Sequence, residues 1–302
     1  MHHPTNLFKA LLAIGSGCLS ITATQAQSIM VTTAEGPTAF NTTLQGVNVE
    51  DFSGLTKGVY SNVNWLGVGT IDRVSLVPNN QYGGTPTSSY YPVQSSSGSL
   101  GGVRNTTITL NTSSSYFGMF WSAGDPYNDL KFYSGETLVG SFSTQSLMNQ
   151  LPSTYLGNPN PAFKGQDRSE PFGFINFIGG TGTQWDQIVL SNPGTSGFES
   201  QNWTSRVAAW SPSKDQTLPG TPMVLIENTN GTIKTTSVVG STVTVTGNTV
   251  TLTKPASPGS EAEPISISFA AEAPAAPAPP LALLIVFGGA FALRSLRGAQ
   301  KG

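Results

Sequence analysis

The stretch that decides the fold is Ser241-Thr-Val-Thr-Val-Thr-Gly-Asn-Thr-Val-Thr-Leu-Thr253. Threonine alternates with valine or leucine on both sides of Gly247-Asn248, and a two-residue period is typical of a β-strand with one buried face. A Gly-Asn pair between two such runs predicts a tight turn, so the stretch predicts a β-hairpin. Similar runs at residues 232–239 and 264–270 extend the pattern, and residues 216–270 form either a β-hairpin extension or the closing strands of a larger domain.

Outward from this stretch, residues 27–215 predict an all-β fold, an antiparallel β-sandwich or jelly-roll-like domain. Short apolar runs are separated by Gly, Asn, Pro and Ser, with almost no helical periodicity. Ser134-Gly135-Glu136 predicts a hairpin turn, and residues 145–151, which end before Pro152, predict one short helix. The predicted strands cover residues 47–52, 70–77, 106–111, 116–122, 130–134, 137–143, 173–177, 184–191 and 206–211.

Two long connections, residues 78–102 and 151–171, are rich in Gly, Ser, Asn, Pro and Tyr. They predict surface loops, and long loops on a rigid β scaffold are common places for ligand binding.

The composition excludes several classes of function. The chain has 302 residues, and its one cysteine and two histidines all precede residue 27. The body therefore lacks disulfides, Cys/His metal sites and catalytic triads that need histidine or cysteine. All 16 acidic residues but only 10 of the 14 basic residues lie between residues 27 and 280. This acidic body argues against nucleic acid as a partner.

Residues 1–26 predict a secretory signal peptide. Lys9 precedes the apolar residues 10–21, which are too few to span a bilayer, and small residues follow. Cleavage is expected between Ala26 and Gln27. The alternatives for this segment are a buried helix and a lipidation site at Cys18, which Gly15 disfavours because such motifs carry leucine at that position.

The opposite end has three successive parts. Residues 271–280 are rich in proline and alanine, and each proline fixes φ and removes a donor, which makes a stiff linker. Residues 281–293 carry no charge and predict a short hydrophobic helix, and Arg294, Arg297 and Lys301 follow. The apolar run is shorter than the about 20 residues of a comfortable membrane span, so we expect a transient inner-membrane contact. An ordinary C-terminal tail anchor is the alternative.

This combination of segments resembles the PEP-CTERM sorting signal of exosortase systems in Gram-negative bacteria and cyanobacteria. Pro277, Pro279 and Pro280 take the place of the usual Pro-Glu-Pro motif, whose central glutamate is absent, and Arg294 and Arg297 take the place of the basic cluster. The resemblance implies export, recognition by an exosortase-type processing protease, removal of the tail, and delivery to the cell surface or extracellular matrix.

A second pattern strengthens the resemblance. Asp186-Gln-Ile188 and, further on, Gly197-Phe-Glu-Ser-Gln-Asn202 are similar to segments of the cyanobacterial exosortase-dependent surface proteins, with Gln201 in place of an expected aspartate. In a jelly roll an early and a late strand often lie side by side. Glu50, Asp51 and Glu199 are therefore candidate ligands of a structural calcium ion, because clustered carboxylates need a cation or raised pKa values to coexist. Solvated edge carboxylates are the default alternative.

The turn after residue 122 offers another candidate set of oxygen ligands, Asp125, Asn128 and Asp129. Such residues also cap their own backbone in tight turns, which is the favoured interpretation.

Aromatic residues suggest contacts to sugars. Tyr82, Tyr90 and Tyr91 lie in a long loop and are possible glycan contacts; Trp121, Tyr127 and Tyr133 could stack on sugars or belong to the core.

The terminal segments and the resemblance lead us to expect an exported, non-enzymatic protein with a structural or adhesive role, embedded in extracellular polysaccharide. A carbohydrate-binding module is the main alternative. A glycoside hydrolase needs only two carboxylates, but none of the 16 acids stands in a recognisable catalytic motif.

Overall fold

The computed structural model describes residues 27–33, 36–215, 217–229, 232–255 and 264–269. The predicted signal peptide, Pro/Ala linker, hydrophobic helix and basic tail lie outside these residues, and so do Ala26, Pro277, Pro279, Pro280, Arg294 and Arg297. None of the helices in the described ranges has the length and apolar character needed to cross a membrane.

The described chain is mostly antiparallel β-structure, with one short helix, α1 (Pro212–Asp215), and four 3₁₀ turns at Gly98–Leu100, Met148–Gln150, Ser153–Tyr155 and Pro161–Phe163. The strands are β1 Gln27–Thr33, β2 Asn48–Glu50, β3 Gly58–Trp65, β4 Gly69–Pro78, β5 Tyr90–Gln94, β6 Asn105–Ser114, β7 Tyr116–Ser122, β8 Asp129–Ser134, β9 Thr137–Ser143, β10 Gly173–Gly179, β11 Trp185–Ser191, β12 Phe198–Ser205, β13 Thr221–Thr229, β14 Thr232–Ser237, β15 Thr242–Thr246, β16 Thr249–Thr253 and β17 Pro264–Ser268.

Fourteen strands form one large sheet with the order β14-β13-β1-β10-β7-β12-β5-β4-β6-β11-β8-β9, in which β2 also pairs with β12 and β3 with β4. The sheet curls so that its ends approach each other: the Asn228 side chain on β13 donates to the Leu138 carbonyl on β9 at 2.7 Å. A curled sheet encloses its inward side chains, which explains why alternating residues of β6, such as Ile108 and Leu110, are buried.

Aromatic rings fill much of the enclosed core. The Phe132 ring centroid lies 4.6 Å from that of Trp185 and 5.1 Å from that of Phe177, and Phe142 lies 4.9 Å from Phe177. Such tilted packing is favourable for aromatic pairs.

A second sheet covers part of the outer face of the central strands. β15, β16 and β17 form a three-stranded sheet. Val250 and Leu252 from this sheet share an apolar cluster with Met30, Ile178 and Leu225 of the large sheet. The segment at residues 39–40 packs against the rest of that face. With both covers in place every residue of β7 and β10 is buried, and their sequences are apolar runs rather than alternating ones.

The final part of the chain contributes to both sheets. β13 pairs with β1 and β14 with β13, while Thr246 of β15 pairs with Thr249 of β16 across Gly247-Asn248. Gly247 has φ +57°, which a glycine adopts without steric cost.

Two local predictions are wrong. Residues 206–211 are not a strand; the strand of this region is β12, which sequence patterns missed because polar residues occupy its buried positions. Residues 145–151 do not form an α-helix but contain only the 3₁₀ turn Met148–Gln150, after which Leu151 is extended, as expected for a residue before proline. The strands β1, β3, β5 and β13 were also not predicted.

Candidate functional site

The two long loops are packed against each other. The Asn158 side-chain amide donates to the carbonyls of Asn80 and Gln81 at 3.2 and 3.1 Å, and that of Asn160 donates to the Gly84 carbonyl at 3.2 Å. Both asparagines are buried. Because these hydrogen bonds join residues 151–171 to residues 78–102, the two loops hold each other in place.

The three predicted glycan tyrosines have different environments. Tyr91 is 1% exposed, and its hydroxyl donates to Asn80 Oδ1 at 3.1 Å. Tyr90 is half-buried against the main core. Tyr82 is 43% exposed. Of this trio, only Tyr82 is exposed at the surface.

Glu199 is a buried acidic residue on a central strand of the large sheet. It lies on β12 between Ser122 of β7 and Val93 of β5. Its Oε2 atom has no hydrogen-bond partner. A Cβ atom on Gly197 would fall 1.7 Å from Glu199 Oε1, so the carboxyl group occupies the space that the glycine leaves free.

Burial raises the pKa of Glu199 well above its usual value of 4.5, because a charge is disfavoured where water is excluded. Three acidic neighbours, Asp125, Glu170 and Asp167, raise that pKa further. These four residues are called the carboxylate cluster below.

Glu170 and Asp167 reach the cluster from the second long loop. The Gly157 N–H donates to the Glu170 carbonyl at 3.0 Å, and the Glu170 N–H donates to the Asp167 carbonyl at 3.3 Å. Burial, a hydrogen bond to the Asp167 carboxyl group, and the charges of Asp167 and Asp125 raise the pKa of Glu170 to about 8. Because this pKa lies above neutral pH, the Glu170 carboxyl group retains a proton at pH 7 that it can donate in a hydrogen bond.

Asp125 reaches the cluster from the turn after β7. Burial raises its pKa, while a hydrogen bond with Ser196 lowers it. The fully buried Asn128 amide holds the turn: with its oxygen toward the Asp125 N–H at 3.2 Å, its nitrogen donates to the Gly197 carbonyl at 3.0 Å. Asn128 therefore caps the backbone of this turn.

Asp129 belongs to a different environment. It forms a 2.6 Å ion pair with Lys131 and accepts from the Ser141 hydroxyl at 3.3 Å. The ion pairs among the described residues join Lys131 to Asp129, Arg206 to Asp215 and Lys234 to Glu227, and none includes a member of the carboxylate cluster.

The structure separates Glu50 and Asp51 from Glu199. β2 does lie beside β12, but Glu50 pairs with Trp203, four residues beyond Glu199. Glu50 Oε1 accepts from the Phe52 N–H and Asp51 Oδ1 from the Ser53 N–H, both at 2.9 Å. Burial raises the pKa of Glu50, and its hydrogen bond with Phe52 partly opposes that effect. In the part of the chain that the structure describes, no three Asp, Glu, His or Cys side chains are arranged to hold a metal ion.

The remaining motif residues have structural contacts. Trp121 is buried against Phe198, with ring centroids 4.7 Å apart, whereas Tyr127 is 62% exposed and Tyr133 half-buried. Gln201 donates to the Tyr90 carbonyl at 2.9 Å. Asp186 accepts from the Gly135 N–H through both carboxylate oxygens, at 3.0 and 3.1 Å, and so holds the β8–β9 turn.

A separate cleft of about 650 Å³ lies beside Arg206 and the segment at residues 43–46. Arg206 is buried and donates to Asp215 at 3.0 Å, so this wall of the cleft is an ion pair. Sequence patterns did not indicate the cleft, because residues 206–211 were assigned to a strand.

Comparison with protein-family models, with curated proteins and with solved structures finds no significant match to this chain.

Proposed function

We propose that the protein is exported, processed by an exosortase-type protease, and displayed at the cell surface or in the extracellular matrix, where it has a structural or adhesive role. The observation that carries the proposal is the order of a proline-rich segment, an apolar run and a basic cluster at residues 277–297. The apolar run contacts the inner membrane only until the tail is removed.

The composition of the body supports this proposal. From residue 27 onward the chain has no cysteine or histidine, so it has no thiol that an oxidising environment could modify. Its large core contains many aromatic residues, such as Phe132 and Trp185, and does not depend on disulfides for stability. These two properties are compatible with an extracellular location.

We further propose a sandwich or jelly-roll architecture for the body, with the β15–β16 hairpin as an extension. The support is the apolar cluster between the small sheet and the outer face of the large one, which makes two stacked β layers over part of the molecule.

Processing can be tested with variants of the basic cluster. In the native host, the double variant Arg294→Gln/Arg297→Gln should accumulate as the unprocessed, membrane-associated form, because the protease loses the recognised cations. The matched control is Arg73→Gln/Arg104→Gln in the body, which should mature normally. Normal maturation of the tail variant would contradict the proposal.

Carbohydrate binding is the second candidate function, and the exposed ring of Tyr82 favours it. The Tyr82 backbone is held by the Asn80 side chain, which accepts from the Tyr82 N–H at 2.8 Å, so the ring is presented from a defined turn. An exposed aromatic ring on an ordered turn is suited to stacking on a sugar face. On a glycan array, Tyr82→Ala should abolish binding to any bound polysaccharide, and Leu66→Ala, at the most exposed large apolar side chain, should not. Silence of the unmodified protein on all glycans would exclude this candidate.

A further inference from the structure

The outer edge of β15 is open. All five residues of β15 are exposed, and among the described residues this strand pairs only with β16. An edge strand carries a row of unpaired N–H and C=O groups that can pair with another chain. The opposite edge of the small sheet is partly occupied, because the Thr181 N–H donates to the Ser268 carbonyl of β17 at 2.8 Å.

The apolar face of the small sheet continues onto this open edge. Val243 pairs with Leu252 and Val245 with Val250, and both partners on β16 are fully buried. Directly paired residues in antiparallel strands point to the same side of the sheet. Val243 and Val245 therefore belong to the face that packs against the large sheet, yet they are 39% and 40% exposed. One additional strand beside β15 would cover them.

β15 also lacks the features that keep edge strands apart. It has no charge, proline, glycine or bulge. β14, one of the two end strands of the large sheet, differs: it carries Lys234, which lies 3.9 Å from Glu227. Lysine on an edge strand opposes pairing with other chains, so the edges of β14 and β15 are not equivalent.

The sequence of β15 matches itself when reversed. Thr242-Val-Thr-Val-Thr246 reads the same in both directions. In an antiparallel pair of two identical copies centred on Thr244, each Thr244 faces its equivalent and each Val243 faces the Val245 of the other copy. This arrangement has the two-fold symmetry of an isologous interface, and no like charges oppose each other.

We propose that the partner of the β15 edge is a second copy of this chain, bound by antiparallel β15–β15 pairing about Thr244. The two small sheets become one continuous six-stranded sheet, and Val243 and Val245 become covered. This inference is independent of the export route, because it rests on the described body alone.

Disulfide trapping tests the register. In the full-length chain carrying Cys18→Ser, Thr244→Cys should form a disulfide-linked dimer under mild oxidation. Thr242→Cys alone and Thr246→Cys alone should remain monomeric, but a mixture of these two variants should cross-link, because the register pairs residue 242 with residue 246. Efficient cross-linking of either single variant, or none of Thr244→Cys, would overturn the proposed register.

Sedimentation measurements test the association itself. The unmodified protein should dimerise with increasing concentration, and Val243→Lys/Val245→Lys should weaken dimerisation by at least about tenfold, since the lysines face each other across the interface. The matched control is Val49→Lys/Val59→Lys, at two similarly exposed valines of the large sheet. Unchanged thermal melting of both variants would show that the fold is intact. A monomeric unmodified protein at all concentrations, or equal weakening in the control, would contradict the proposal.

Discussion

Glu199 and Ser122 stand opposite each other on β12 and β7, and neither Glu199 Oε2 nor Ser122 Oγ has a hydrogen-bond partner. Paired residues of antiparallel strands share one face of the sheet, so these two unpartnered oxygens lie on the same side. A buried oxygen without a hydrogen-bond partner lowers the stability of the folded state, and here two such oxygens lie on neighbouring strands.

The first prediction concerns Glu199 itself. We expect Glu199→Gln to raise the free energy of unfolding at pH 8 by about 1–3 kcal/mol, because the amide has no charge to bury and can donate a hydrogen bond. Urea unfolding at pH 8 measures the change. The control Glu136→Gln, at an exposed turn position, should have no effect. A destabilised Glu199→Gln variant would show that the carboxylate has an unrecognised stabilising partner.

The second prediction concerns pH. The folded protein raises the pKa of Glu170 from its usual value of 4.5 to about 8, so the folded form retains a proton that the unfolded chain loses. The resulting stabilisation is complete below pH 4.5 and disappears as the pH rises through 8. Melting temperature should therefore fall between pH 5 and pH 8.5, and Glu170→Gln should reduce this fall. An identical pH profile for the variant would refute the assignment.

The third prediction concerns Gly197, whose lack of a side chain leaves space for the Glu199 carboxyl group. Gly197→Ala should destabilise the fold by about 1–3 kcal/mol, because the new methyl group overlaps the buried carboxyl group. The double variant Gly197→Ala/Glu199→Ala should recover part of this loss, which a double-mutant cycle measures. Gly54→Ala, where a Cβ meets no atom within 4 Å, is the control. Additive effects of the two substitutions would contradict the proposed overlap.

The fourth prediction concerns the contact between the two loops. Asn158→Ala removes the hydrogen bonds to Asn80 and Gln81, and should cost about 1–3 kcal/mol because two half-buried carbonyls lose the donor that the buried Asn158 supplies. Limited proteolysis should then cut within residues 151–171 faster than in the unmodified protein. Asn149→Ala, at an exposed position of the neighbouring turn, serves as the control. Equal cleavage rates would show that other contacts hold the loops.

Sequence patterns predicted the strands with one buried face. In β6 and β16, threonine alternates with apolar residues, and this period follows directly from the pleat of the strand. β12 was missed because its buried positions are polar. Gln201, for example, can be buried because its amide donates a hydrogen bond to the Tyr90 carbonyl, which replaces the lost contact with water. Such a partner lies far away in sequence, so no local pattern indicates it.

The candidate site was predictable only in part. Glu199 and Asp125 were both singled out from the sequence, but in separate groups, because the turn after β7 and the buried strand β12 show no local relationship. Asp167 and Glu170 were not singled out at all. They join the other two carboxylates through the docking of a loop about 30 residues away from Glu199 in sequence, and the hydrogen bonds of Asn158 that hold this loop are equally long-range.

Intact-mass spectrometry of the protein secreted by its native host tests the central claim of export and processing most directly. The account predicts a mature chain that begins at Gln27 and ends before Leu281, with the apolar segment and Arg294 and Arg297 removed. A secreted protein whose mass still includes Arg297 and Lys301 would contradict the account.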